Sequence, residues 1–223
     1  MPFDTSGHSF ERDIIMLNVR WYLSYKLSYR DLKEMAHERG LCVDHTTIYR
    51  WVIKFTPGME MAIRNRKKPV GRSWRMDETY IKINGQWEYL YRAVDKEGQT
   101  VDYLLTAKRD KKAAKRFFKK AIGSNCIPEK INIDKSGANT ATIKDYNKSE
   151  KTNIEIRQNK YLNNLIGQDH RSIKQLSRAT LWFKRFWTAS ITLAGFECMH
   201  MLRKNQVLAG GQTPAEQFYV LMG

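Results

Sequence analysis

The spacing of apolar positions changes period along this chain, and the change marks two different kinds of structure. Phe10, Ile14, Leu17 and Trp21 recur at helical spacing, which predicts an amphipathic helix over Ser9 to Tyr25. Ser28, with Asp31 three residues on, is a good N-cap, and Gly40 is a good stop, so a second helix is expected between them. Asp44 then caps a third, His45 to Val52. Two short helices about a Gly-containing turn form a helix-turn-helix pattern, favoured over an ordinary helical hairpin by the basic charge and the position ahead of a second domain. In either reading Ile48 and one or both of Trp51 and Val52 face a small core. Thr46, Thr47, Tyr49 and Arg50 are left facing outward, short polar groups followed by a cation, as contacts to base edges and phosphates require.

Thr56-Pro57-Gly58 is expected to end this unit, and the segment with Arg64, Arg66, Lys67, Lys68 and Arg72 reads as a basic linker. Beyond it the period becomes two. A strand runs through Asp77 to Ile83, Asn84-Gly85 is a hairpin signal, and Trp87, Tyr89, Tyr91 and Ala93 alternate along the return strand. Val101, Tyr103 and Leu105 give a third strand. A helix capped by Asp110 follows, with Ala113, Ala114, Phe117, Phe118 and Ala121 on its buried side. Lys130 to Asp134 is a short buried strand, Ala138 to Lys151 is weakly helical, and Ile154 to Ile156 is a candidate last strand. From Asn159 to Gln175 a helix is expected with Leu162, Leu165, Ile166, Ile173 and Leu176 on one side and Gly167, His170, Arg171 and Lys174 on the other. The last long helix, Lys184 to Asn205, reads as core packing.

Charge changes the picture more than size does. Among 223 residues, 39 Lys plus Arg against 23 Asp plus Glu give a net charge of +16, and an excess that large implies a polyanionic partner, nucleic acid before a membrane surface. The first residues, Met1 to Thr5, show no leader pattern, and the longest apolar run, Phe186 to Phe196, is short of the roughly 20 residues of a spanning helix, so a cytoplasmic protein is expected. Cys42, Cys126 and Cys198 are scattered without metal-ligand spacing and are expected to be buried reduced thiols.

Two acids stand out against this background. Asp77 lies mid-strand on the pleat face of Thr79, Ile81 and Ile83, while Asp134 ends a buried strand beside the Gly-containing turn Ser136-Gly137. A lone strand Asp is ordinarily bonded to a neighbouring N–H or Lys. Two on adjacent strands ionise together only with a cation between them, and an all-oxygen site favours magnesium or manganese.

The residues also carry a resemblance. The chain resembles bacterial insertion-sequence transposases of the DDE type, most closely the sixth insertion-sequence family, through Ser28 to Val52, Arg75-Met76-Asp77-Glu78-Thr79-Tyr80-Ile81-Lys82, Tyr89 to Asp95, Ile133-Asp134-Lys135, Lys160 to Asn164 and Gln168-Asp169-His170-Arg171. The resemblance implies an α+β, ribonuclease-H-like mixed-sheet core behind a helix-turn-helix. The expected division is a DNA-binding domain at 1–57, a linker at 58–72, the catalytic core at 73–183, and a C-terminal helix and tail packed on that core at 184–223. It also implies three acids holding Mg²⁺ or Mn²⁺, of which Asp77 and Asp134 match the first two. The third, a Glu in the family, falls at Gly167. Asp169, two helix positions on, points away, and Glu78 lies on the opposite sheet face. Arg171 and Lys174 are implied phosphate contacts, with a solvated basic face as the alternative for Arg171.

By the same resemblance the partners are double-stranded DNA, as terminal inverted repeats and as target, and further copies of the chain in a homodimer or larger synaptic assembly, nucleoid-associated and off the membrane. The implied activity is metal-dependent strand cleavage and strand transfer, impaired by Gly167. The competing expectation is a catalytically inactive DNA-end-binding protein, an inhibitor or repressor. A simple helix-turn-helix regulator fits less well because it has no use for Asp77 and Asp134.

Overall fold

The computed structural model describes residues 9–134, 137–159, 161–180 and 183–223. Met1 to Thr5, Lys135, Ser136 and Lys160, all used in the sequence reading, lie outside the described residues. The chain divides into two compact units, one formed by Met1–Lys68 with Ile173–Gly223 and the other by Pro69–Ser172.

The first unit is helical. Helices α1 (Arg12–Ser24), α2 (Tyr29–His37) and α3 (His45–Arg64) come from its N-terminal part. Ser28 and Asp31 form a reciprocal capping box on α2, and Asp44 accepts from the Thr46 backbone N–H at 2.9 Å to cap α3. Gly40, at φ +74, makes the turn between them in a conformation that costs a side chain dearly.

The expected break at Thr56-Pro57-Gly58 is absent. α3 runs through Pro57 to Arg64, because Val52, Phe55, Met59 and Ile63 continue one apolar stripe and are all buried. A helix-interior proline forfeits a hydrogen bond and costs about 3 kcal/mol, which burial of that stripe offsets. The first part of the expected linker, residues 58–64, is therefore helix, and the stretch after it is tied down: Lys68 N–H donates to Gln206 O at 2.9 Å and Lys67 bridges to Val207.

The C-terminal helices also depart from expectation. α7 (Phe186–Arg203) packs on α3, α1 and α8 (Pro214–Met222), within the helical unit. Gly195 makes this approach possible: a Cβ there would sit 2.5 Å from Leu23 Cδ2 and 3.0 Å from Thr56 Cγ2. Phe186 and Trp187 are exposed rather than core. Cys42 and Cys126 are exposed as well, and only Cys198 is buried.

The second unit holds a five-stranded sheet. Strands β1 (Ser73–Ile83), β2 (Gln86–Asp95) and β3 (Thr100–Thr106) form an antiparallel meander, while β4 (Lys130–Asn132) and β5 (Glu155–Arg157) add in parallel beside β1, giving the order β3-β2-β1-β4-β5. That order and sense are those of the ribonuclease-H-like fold. Asn84 and Gly85, at φ +48 and +80, form the tight β1–β2 turn that the dipeptide signals. Between β3 and β4 runs α4 (Lys111–Gly123), capped by Asp110, and α5 (Gly137–Ser149) joins β4 to β5. The core lies between one sheet face and α4 and α5: Trp74, Met76, Tyr91, Ala93 and Ile131 meet Ala114, Phe117, Phe118 and Ile143.

Burial along β1 changes faces at Glu78 and Thr79, both buried. Trp74 and Met76 point to α4, whereas Thr79, Ile81 and Ile83 are buried on the opposite face, which Asp77 shares.

Candidate active site

The sheet register places the two acids. β1 and β4 pair in parallel at Ser73↔Lys130, Trp74↔Ile131 and Arg75↔Asn132, so continuing that register sets Asp134 level with Asp77. Adjacent strands run about 5 Å apart. Both carboxylates line one open cleft of about 800 Å³, together with Ile133, Gln158, Asn163, Asn164, Gly167, Gln168 and Arg171. Asp77, Asp134, Gly167 and Arg171 are thus brought together by β1, the end of β4 and the start of helix α6 (Asn164–Ala179). Lys174, one turn beyond Arg171 and half-buried, is not among the lining residues.

The helix facing the acids is shorter at its start than the periodicity predicts. Tyr161–Asn163 form a 3-10 turn, and α6 begins at Asn164. Asn132, at the end of β4, fixes this entry: its Nδ2 donates to Asn159 O at 3.0 Å and to Asn163 Oδ1, and its Oδ1 accepts from the Asn159 N–H at 3.0 Å. Leu165 packs near Gly98 on the β2–β3 turn.

His170 needs correction. It does not share the exposed face of Gly167 and Arg171 but is 6% exposed, on the side of Ile166 and Ile173. One turn of α6 separates it from Ile166, which is why the two go inward together. Its Nε2 stands 3.5 Å from Asp77 Oδ2 and its Nδ1 3.5 Å from Arg92 Nη1. Arg92, opposite Asp77 in the β1–β2 register and 1% exposed, donates from Nη2 to Asp169 Oδ2 at 2.6 Å. Asp169 accordingly serves β2 and turns away from the cleft.

On the other side of the acids stands a cation that sequence reasoning missed. Arg109, between β3 and α4, pairs through Nε with Glu78 Oε1 and through Nη2 with Asp134 Oδ2 at 3.3 Å. Glu78 Oε2 accepts from Asn139 Nδ2 at 3.2 Å. Burial pushes the Glu78 carboxyl above its ordinary value, and Arg109 and Asn139 pull it back. Asn139, Glu78, Arg109 and Asp134 thereby form a chain linking α5, β1 and the tip of β4. The available signal was Glu78 itself: an acid pointing into an apolar core needs a cation, and Arg109 heads the adjoining helix.

Gly167 is exposed on the cleft wall, and a Cβ added there meets nothing within 4 Å. The site therefore offers two carboxylates, side-chain amide oxygens and room for a third acid. Among the described residues no group of three or more His, Cys, Asp or Glu gathers as a metal cluster. Hard oxygen donors on β1 and just past the end of β4 fit an octahedral divalent ion that keeps several waters.

On α3, Thr46, Tyr49 and Arg50 are exposed and Thr47 is half-buried, while Ile48, Trp51 and Val52 are buried. Thr46 Oγ1 donates to Asp44 Oδ1 at 2.8 Å, and the Tyr49 ring meets Tyr29 edge-on at 5.6 Å. Thr46 and Tyr49 are thus partly committed within the helical pair, and Arg50 projects from it.

A family model for the DDE domain of IS240-type transposases matches residues 71–206. The transposase for insertion sequence-like element IS431mec of Staphylococcus aureus (strain Mu50) is 42% identical over 196 residues, 87% of this chain and 86% of the relative. The transposase for insertion sequence element IS257 in transposon Tn4003, also from Staphylococcus aureus, is 41% identical over 196 residues with the same coverage. Among solved structures, the catalytic core domain of BIV integrase is similar with a TM-score of 0.47 and 18% identity, over 67% of this chain and 94% of that one. Among the described residues no helix is long and apolar enough to cross a membrane.

Proposed function

We infer that this chain, which belongs to the DDE transposases of bacterial insertion sequences, binds the terminal inverted repeats of its element and is impaired in strand cleavage and strand transfer. The family is one of DNA-cleaving, strand-transferring, metal-dependent enzymes. The observation that carries the impaired reading is the cleft at Asp77 and Asp134, which Gly167 also lines, the residue that the resemblance matches to the family's third acid.

Mg²⁺ or Mn²⁺ is the ion this donor set fits, held by Asp77 and Asp134, and when bound it supplies water activation and charge neutralisation for phosphodiester chemistry. The chain's own residues do the rest. Arg50, with Thr46, Thr47 and Tyr49 beside it, engages the repeat in the major groove and on its phosphates. Arg171, exposed on the cleft wall, holds a substrate phosphate near the acids, and Lys174 extends that contact. Arg92 and His170 fix the Asp77 side of the cleft, and Arg109 fixes Asp134. Action on two element ends requires at least a homodimer, with target DNA as a further partner.

The second reading, an end-binding protein that does not cut and acts as inhibitor or repressor, is favoured by the same Gly167. Gel-shift titration on a terminal-repeat duplex tests the binding half. Repeat-specific binding is expected in the unaltered chain, a loss of tenfold or more in Arg50→Gln, and no change in Asp77→Asn. Equal binding to scrambled duplex would contradict it.

A further inference from the structure

We infer that the outer face of α4 is a docking surface for the sugar-phosphate backbone of a second DNA duplex, distinct from the one engaged by α3. This rests on the transposase reading and assigns to it a surface for target DNA.

α4 has six cations among its thirteen residues, Lys111, Lys112, Lys115, Arg116, Lys119 and Lys120, and no acid. Two of the six have structural work. Lys120 pairs with the buried Asp102 and donates to Tyr103 O, and Lys111 pairs with Asp145 at 2.7 Å. The other four, Lys112, Lys115, Arg116 and Lys119, are exposed, and among the described residues none makes an ion pair within 4 Å. Their spacing, i, i+3, i+4 and i+7, puts all four on one stripe.

That arrangement works against the helix itself. Like charges at these spacings repel, and the acids near the first turn, Asp110 at the N-cap and Asp145 beside Lys111, leave the stripe from Lys112 to Lys119 without an ion pair among the described residues. A polyanion laid along the stripe removes that repulsion.

The chemistry of the face selects among polyanions. It spans about 10 Å of helix, over which duplex DNA carries about six backbone charges on its two strands, enough phosphates to engage all four cations. Ala113, Ala114, Phe117 and Phe118 are buried beneath, so the face offers no apolar wedge for a membrane and no aromatic ring for unstacked bases. What remains is phosphate recognition without sequence readout.

Position supports the assignment. Arg109, two residues before α4 begins, touches Asp134 in the candidate active site, so the stripe leads away from the acids along one rigid helix. A duplex held there has its backbone directed toward the cleft.

The test uses the full chain and a quadruple variant, Lys112→Gln with Lys115→Gln, Arg116→Gln and Lys119→Gln. Protein is first saturated with unlabelled terminal-repeat duplex, and capture of a labelled random duplex is then followed by anisotropy between 50 and 200 mM salt. The expected result is weaker capture by the variant, with the salt slope reduced by about 3 to 4, roughly 0.9 per cation removed. Repeat binding through α3 stays unchanged, and the variant melts no lower than the parent. A four-arginine variant retains capture. Unchanged capture and slope overturn the proposal, as does equal loss of binding to single-stranded RNA or to anionic vesicles. If neither chain distinguishes the repeat but the slope still falls, the end-binding reading fails while the α4 surface stands.

Discussion

Arg92 donates from Nη2 to Asp169 Oδ2 at 2.6 Å, joining β2 to α6 with the guanidinium 1% and the carboxylate 9% exposed. The pair lies beside the cleft: Arg92 faces Asp77 across the ladder, and Asp169 is two residues from Gly167. Position 167 therefore depends on this link for its placement over the acids. Removing one partner of a buried pair strands the other's charge, so Asp169→Ala is expected to cost about 3–5 kcal/mol in chemical denaturation. A double-mutant cycle with Arg92→Met should show coupling of about 1–3 kcal/mol. Strict additivity would mean that the two side chains do not support each other.

Arg109 holds a buried acid and a cleft acid at once. Arg109→Gln leaves Glu78 buried without its cation and should destabilise the chain by about 2–3 kcal/mol, below the fully buried case because Arg109 is one-third exposed. Adding Glu78→Gln should restore much of that loss. The double variant should still bind Mn²⁺ differently from the parent, measured by paramagnetic resonance, since Asp134 has lost its positioning partner. Unaltered Mn²⁺ affinity would limit Arg109 to stability.

Gly195 sets how closely α7 approaches α1 and α3. Its missing Cβ would fall 2.5 Å from Leu23, which is itself fully buried. Gly195→Ala is expected to lower stability by about 1–3 kcal/mol, although alanine is the better helix former. A thermal melt in which the variant gained stability would show that the helices separate without cost.

Asp44 caps α3, and the backbone N–H and hydroxyl of Thr46 hold its carboxyl well below the usual carboxylate range. A depressed carboxylate contributes stability that is fully present above its unfolded value and is lost as pH falls toward the folded one. The melting temperature of Asp44→Ala should thus lie below that of the parent at neutral pH, with the gap shrinking below about pH 4. A gap constant down to pH 2 would remove the charge from the explanation.

Local features were legible in the sequence and distant pairings were not. Ser28, Asp44 and Asp110 announce their helices because caps act within three residues, and Asn84-Gly85 announces its turn because the backbone there demands positive φ. Alternation gave the meander, and register then made Asp77 and Asp134 neighbours. Pro57 misled because a local penalty was overridden by a long apolar stripe whose partners, in α1 and α7, are remote in sequence. For the same reason the periodicity of α7 does not report that it packs in the helical unit. Arg92 with Asp169, and Arg109 with Glu78, are separated by tens of residues, and no periodicity reports them. His170 departs from the polar side of α6 because its imidazole is accommodated inside by Asp77 and Arg92.

The proposed impairment traces to Gly167, which stands in the cleft at the position that the resemblance matches to the family's third acid. Its Cα faces the cleft and a side chain there meets no obstacle, so Gly167→Glu should fold and gain about 1 kcal/mol from replacing a helical glycine. The decisive measurement compares the two chains for magnesium-dependent nicking and strand transfer on a labelled terminal-repeat duplex. Equal repeat binding and activity only in the Glu variant are expected. Equal activity in both chains would contradict the proposed impairment, because some other group would then complete the site.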